Sequence, residues 1–255
     1  MTIRPNSDPN SDPNSDPNLD PVTIEVVGFD ADDTLWHSED GFKQTERRFA
    51  ELIAPYAPAG VDVDAAMVAT ERKNLSAFGY GVKSFGLSMI EAAITITGGN
   101  VPTRIIAEIV DMVRSQMLEP VRLLDHVPEV LEAVGARHRL VLITKGDLVH
   151  QTHKVTTSGL AHHFEQVDVV LEKDAVTYAK VLSQVGVAPE RFCMVGNSVR
   201  SDILPVLSLG AHAVHVPYPY LWELEHVDHD ESFAELASLA ELPGWLETAE
   251  LPGTI

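Results

Sequence analysis

Residues 24–39 read IEVVGFDADDTLWHSE, an apolar run that closes at Phe29 and is followed by Asp30, Asp32 and Asp33 within four positions. A short β-branched and apolar run that stops abruptly at polar residues reads as a buried strand. Three carboxylates at its end repel one another, and no basic residue lies beside them in sequence. Such a cluster calls for charge brought from elsewhere in the fold, either a cation or a lysine from another strand end.

Further runs of the same kind follow. RLVLITKGD ends at Thr144–Asp147, FEQVDVVLEKD near Lys173, and RFCMVGNSVRSD at Gly196–Asp202, and AHAVHVPY covers 211–218. Between them lie helical patterns at 127–138, 148–160, 175–186 and 201–210. Strands alternating with helices of about ten residues predict a parallel α/β sheet. Ligands bind such sheets beyond the carboxyl ends of the strands, where these polar clusters sit.

The segment from Ser38 to Asp125 breaks the alternation. QTERRFAELIAPYA, VDAAMVATERKNLSAF, SFGLSMIEAAITITGG and TRIIAEIVDMVRSQML carry helical periodicity and no strand. This predicts an all-helical cap, 38–125, inserted into a core made of 22–37 and 126–255. The glycine-rich piece FGYGVKSFG, 78–86, reads either as a mobile loop facing the site or as a turn between two helices. Residues 6–21 repeat NSDP-like turn formers without an apolar face, so 1–21 is expected to be a disordered tail.

Composition narrows the function. A net charge of −20 argues against nucleic acid or an anionic membrane as partner. No apolar run approaches the roughly 20 residues of a membrane span. The single cysteine, Cys193, precludes an intrachain disulfide and suits a reducing, cytoplasmic setting. An anionic small-molecule substrate is compatible with this charge only at a locally positive site, made so by a metal or a few placed cations.

Carboxylate and carbonyl oxygens suit Mg²⁺, which keeps waters or substrate phosphate in its shell. Candidate ligands are Asp30, the Asp32 backbone carbonyl, Asn197 and Asp202. A carboxylate also serves as a nucleophile that splits one hard displacement into two. Around a transferring phosphoryl group, Thr144 offers a hydroxyl and Lys173 a positive charge. A second carboxylate to protonate the leaving alkoxide and then activate water is supplied by Asp32. Asp33 reads as a turn residue.

Phe29-Asp30-Ala31-Asp32-Asp33-Thr34-Leu35 resembles the DxDx(T/V) motif of the haloacid dehalogenase superfamily. Thr144 resembles its second motif, Lys173 its third, and Gly196-Asn197-Ser198 with Asp202 its fourth, in the same order. The resemblance implies a Rossmann-like core with a helical cap, Asp30 as nucleophile, Asp32 as general acid/base and Mg²⁺ as cofactor. It also implies a phosphatase, because the dehalogenase branch normally lacks the second aspartate. One departure is Asn197, where family phosphatases often carry aspartate; the amide removes one negative charge and shifts charge compensation toward Asp202.

Tyr80, Lys83 and Lys145 are candidates for substrate contact, with Phe78 and Phe85 as an apolar wall. Gln151 and Lys154 echo a TxGxxxxQxxK pattern of nucleotidase-like members and are assigned structural roles. The eleven histidines, His162-His163 and those of HVDHD included, lack metal-site spacing and read as surface or interface positions; Cys193 reads as buried packing. The expected activity is hydrolysis of a small phosphorylated metabolite through an aspartyl-phosphate. The alternatives are a sugar phosphomutase, a nucleotidase, and a binding module of weak activity.

Overall fold

The computed structural model describes residues 23–248; the repeat at 6–21 lies outside them. Six strands form one parallel sheet: β1 (Val26–Phe29), β2 (Arg139–Lys145), β3 (Gln166–Val170), β4 (Phe192–Gly196), β5 (His212–His215) and β6 (Ala234–Glu235). Their order is β3-β2-β1-β4-β5-β6, a Rossmann-like arrangement. β1 therefore lies mid-sheet, paired with β2 on one side and β4 on the other. All four of its residues are buried, as a strand covered on both faces requires.

Side chains alternate across the sheet and feed two cores. Val27, Phe29, Leu140, Leu142, Cys193 and Val195 pack to one face, and Val26, Val141, Ile143, Phe192 and Met194 to the other. This is the two-residue period of a strand, imposed simultaneously on three neighbours. The helices on the two faces are α5 (Val127–Gly135), α6 (Leu148–Thr157), α7 (Ala175–Val185), α8 (Leu204–Leu207) and α9 (Leu242–Thr248). They follow four helices inserted between β1 and β2: α1 (Glu39–Ile53), α2 (Val63–Phe78), α3 (Val82–Ile96) and α4 (Thr103–Met117). The runs read as strands and helices are all present, with β6 and α9 added beyond residue 218.

The insertion has its own core, built on Phe49, Ile53, Met67, Met89, Ile105 and Ile109. Its two connections to the sheet run side by side: His37 N donates to Arg122 O at 2.9 Å and Leu124 N to Leu35 O at 3.0 Å. Of the two readings of 78–86, the turn between helices is the one present, and the mobile loop is corrected. The piece 78–86 is not a loop, because Phe78 ends α2 and Val82 already begins α3. Only Gly79-Tyr80-Gly81 turns, with both glycines at positive φ (69° and 97°). A Cβ on Gly81 would lie 2.7 Å from the Asp147 backbone nitrogen, so this turn presses the insertion against the loop after β2. Among the described residues no helix is long and apolar enough to cross a membrane.

Candidate active site

The sheet order reverses at β1, with β2 and β3 to one side and β4 to the other. A crevice opens there beyond the strand ends. Asp30 follows β1, its backbone N–H held by Val195 O of β4 at 2.9 Å. Its carboxylate is buried, with Lys173 Nζ 2.5 Å from Oδ1 and the Thr34 hydroxyl donating to Oδ2 at 3.1 Å. The same ammonium meets Asp202 Oδ1 at 2.7 Å. Lys173 is 4 % and Asp202 1 % exposed, so one cation serves two carboxylates away from water. Burial works against the ammonium charge, but Asp202 and Asp30 outweigh it and hold Lys173 well above its ordinary value. Asp30 is pushed upward, first by burial, with Lys173 opposing.

Asp202 is fixed by its own loop. Ser198 N donates to its Oδ2 at 3.0 Å, and a Cβ on Gly196 would fall 2.3 Å from its carboxylate carbon. Glycine at 196 is thus what lets the carboxylate lie against the end of β4. Asn197 Oδ1 is 3.5 Å from the Thr34 hydroxyl that also binds Asp30, which sets an amide oxygen beside the Asp30 carboxylate.

Asp32 is held differently. Its Oδ1 accepts from Trp36 Nε1 at 2.6 Å and Lys154 Nζ at 2.5 Å, and its Oδ2 from Gln151 Nε2 at 2.8 Å. Burial raises its pKa, yet Lys154, Gln151 and Trp36 together bring it below the usual carboxylate value. Gln151 and Lys154 are therefore not general scaffolding but the donors that keep Asp32 charged. They sit one turn apart on α6, at the i, i+3 spacing that shares a face. Asp33 takes a left-handed backbone (φ 63°). It caps α1 by accepting from Ser38 N at 2.8 Å and Glu39 N at 3.1 Å.

Asp30, Asp32, Asp33, Gln151, Lys154, Lys173, Asn197 and Asp202 line one cavity of about 170 Å³ between the strand ends and the insertion. Among the described residues, four buried side-chain oxygens lack a hydrogen-bond partner: Thr144 Oγ1, Gln151 Oε1, Glu39 Oε1 and Glu71 Oε2. All four residues line this cavity. Unmet polar atoms gathered at one place mark a ligand site, since each carries a desolvation cost that a ligand can relieve.

A haloacid dehalogenase-like hydrolase model matches residues 24–210. The chain belongs to that family. A haloacid dehalogenase-like hydrolase from Xanthomonas campestris is 40 % identical, with a TM-score of 0.80 over 88 % of this chain and 91 % of that one. The glyceraldehyde 3-phosphate phosphatase of Methanothermobacter thermautotrophicus is 25 % identical over 204 residues, 76 % of this chain and 85 % of the enzyme. The HAD hydrolase YfnB of Bacillus subtilis, solved with bound magnesium, shares the fold at 16 % identity and a TM-score of 0.60, over 88 % and 99 % of the two chains.

In this HAD hydrolase, Asp30, Asp32, Thr144, Lys173, Asn197 and Asp202 all reach the cavity. Lys145 reaches it too but is committed, to Glu225 Oε1 at 2.6 Å and Ser201 Oγ at 3.0 Å, beneath the Tyr80 ring. Tyr80 lines the cavity with its hydroxyl on Glu172 at 2.5 Å. Lys83 does not line it; it pairs with Asp147 at 3.1 Å where the insertion meets the sheet. Phe85 is buried at the cavity wall, whereas Phe78 is exposed. Cys193 is buried, and burial pushes its thiol up to about 12. Of the histidines, His150 departs from a surface position. It is buried at the cavity, and burial holds it down near 4.

Sequence reading missed Glu39, Glu71, Trp222 and Glu225, which line the cavity from helices or a late loop without motif spacing. Trp36 alone had a signal, lying four residues after Asp32 in the opening motif.

Proposed function

We propose that this chain is a phosphatase that hydrolyses a small phosphomonoester through an aspartyl-phosphate on Asp30. The observation that carries the reading is the pairing of two unlike carboxylates. Asp30 is buried against Lys173, and Asp32, two residues on, is held separately by Lys154, Gln151 and Trp36. A dehalogenase has no use for the second carboxylate, whereas phosphoryl transfer to an alkoxide leaving group needs a proton donor and then a base.

Asp30 attacks phosphorus as the ester oxygen leaves. Lys173 and the free Thr144 hydroxyl meet the charge on the phosphoryl oxygens. Asp32, which takes up a proton from solvent as substrate enters, gives that proton to the departing oxygen. It then takes one from the water that cleaves the Asp30 acyl phosphate.

The donor set fits Mg²⁺, a hard cation that accepts few protein oxygens. Asp30, Asn197 and the Asp32 backbone carbonyl would hold it. Asp202, held by Lys173 and the Ser198 N–H, would add charge. Among the described residues no three His, Cys, Asp or Glu side chains converge on a metal position, so substrate and water must complete any shell. When bound, Mg²⁺ supplies charge neutralisation at the phosphoryl oxygens. The helical insertion acts as the cap that selects the leaving group. The setting proposed is cytoplasmic, in keeping with one buried, unpaired cysteine.

The test is phosphate release from a panel of sugar phosphates, nucleotides and small acid and amine phosphates, with Mg²⁺ and with chelator. Release that needs the metal and vanishes in Asp30→Asn, roughly 10⁴-fold or more down, supports the reading. Isomerisation without release points to a phosphomutase. Asp30→Asn activity near wild type sinks the mechanism.

A further inference from the structure

The insertion side of the cavity does not resemble the floor. Glu39 and Glu46 of α1 and Glu71 of α2 all line it, and Lys43 is the cation they share. Lys43 Nζ lies 3.0 Å from Glu46 Oε2 and 3.6 Å from Glu39 Oε1, so one ammonium serves three carboxyl groups. Glu39 is buried and its Oε1 has no hydrogen bond; Glu71 Oε2 is likewise enclosed without one. Burial pushes both carboxyls up to about 7, with neighbouring glutamates adding to it. Aromatic rings flank these acids. Phe42 packs edge-on to Phe85 at 5.2 Å, and Trp222 edge-on to Tyr80 at 5.8 Å.

Glutamates that share one lysine, in a cavity also lined by Phe42, Phe85, Tyr80 and Trp222, suit a small organic cation through charge and N–H donation. A second anionic group would meet the repulsion of three glutamates that share one lysine. A phosphoryl group seated at Asp30 and Lys173 directs its leaving group to this wall.

We propose that the substrate class is a phosphomonoester whose alcohol carries an ammonium group, such as an amino-sugar or amino-alcohol phosphate, with Glu71 and Glu39 receiving the nitrogen. The inference rests on the phosphatase reading and names the substrate of the same site. It does not extend to anionic leaving groups, and neutral ones are poorer substrates.

Matched pairs test it: glucosamine 6-phosphate against glucose 6-phosphate, and phosphoethanolamine against phosphoglycolate, with p-nitrophenyl phosphate as a class-neutral probe. The wild type should show kcat/KM at least tenfold higher for the ammonium member of each pair. Glu71→Gln should reduce that ratio at least fivefold, and Glu71→Lys should turn the second pair toward phosphoglycolate. Equal or reversed ratios in the wild type overturn the proposal whether or not the variants fold, as do ratios unmoved by folded Glu71→Gln. If p-nitrophenyl phosphate and the pairs are hydrolysed without discrimination, the substrate class fails and the phosphatase reading stands. If nothing is hydrolysed, both fail.

Discussion

The floor and the insertion wall of the cavity are both crowded with carboxylates and compensate them unequally. On the floor, Lys173 spans Asp30 and Asp202, and Lys154 meets Asp32, all within 2.7 Å. On the wall, three glutamates share Lys43, and two of their buried oxygens go without a hydrogen bond. Charge is thus pinned at the strand ends and shared by one lysine on the insertion side. The floor is built for one chemistry; the wall is built to be completed.

Breaking the floor should cost most. Lys173→Met leaves Asp30 and Asp202 facing each other in a buried site, and a broken buried pair costs about 3–5 kcal/mol. Urea unfolding at neutral pH should show that loss, and it should shrink in acid as the carboxylates take up protons. A variant as stable as wild type at pH 7 would mean the ammonium is not the partner of both.

A smaller break is Lys154→Met. Asp32 then keeps Gln151 and Trp36 but loses its cation, so its depressed pKa rises. Its charged, base-competent form exists only above that pKa, so the acidic limb of the kcat/KM profile should move to higher pH. Turnover near neutrality should drop by roughly 10²-fold, within the span of general acid–base catalysis. A profile that falls in height without shifting would leave Lys154 a packing role only.

The mildest change sharpens the wall. Glu71 has a folded-state pKa raised to about 7, chiefly by burial. A carboxyl raised this way stabilises the fold at low pH, and that stability is lost as pH rises from its ordinary value toward 7. Glu71→Gln removes the penalty, so its melting temperature relative to wild type should rise between pH 5 and pH 8. A difference that stays constant with pH would show that Glu71 is not held protonated by its surroundings.

The same contrast governs what the sequence made legible. Asp30, Thr144, Lys173 and Asn197 could be found because each ends or follows a strand, and parallel strands deliver their ends to one edge. The continuous apolar runs of β1, β2 and β4 were equally readable, since a strand covered on both faces must be apolar on both. Glu39 and Glu71 were not readable. A glutamate on an amphipathic helix looks solvated, and only packing of α1, α2 and α3 over the strand ends buries it. FGYGVKSFG was ambiguous for a related reason: its glycines suit a loop or a turn, but just two of them serve the turn, and Gly86 lies inside α3. Gln151 and Lys154 had the right spacing, but their target, Asp32, lies more than a hundred residues earlier.

The central claim is that Asp30 becomes covalently phosphorylated. Acid quench during steady-state turnover, followed by borohydride reduction and peptide mass spectrometry, reports it directly, because an aspartyl phosphate is reduced to homoserine. The account predicts homoserine at position 30 only when a hydrolysable phosphomonoester is present, and none in Asp30→Asn. Turnover with position 30 unmodified, or with the label on another carboxylate, would contradict it.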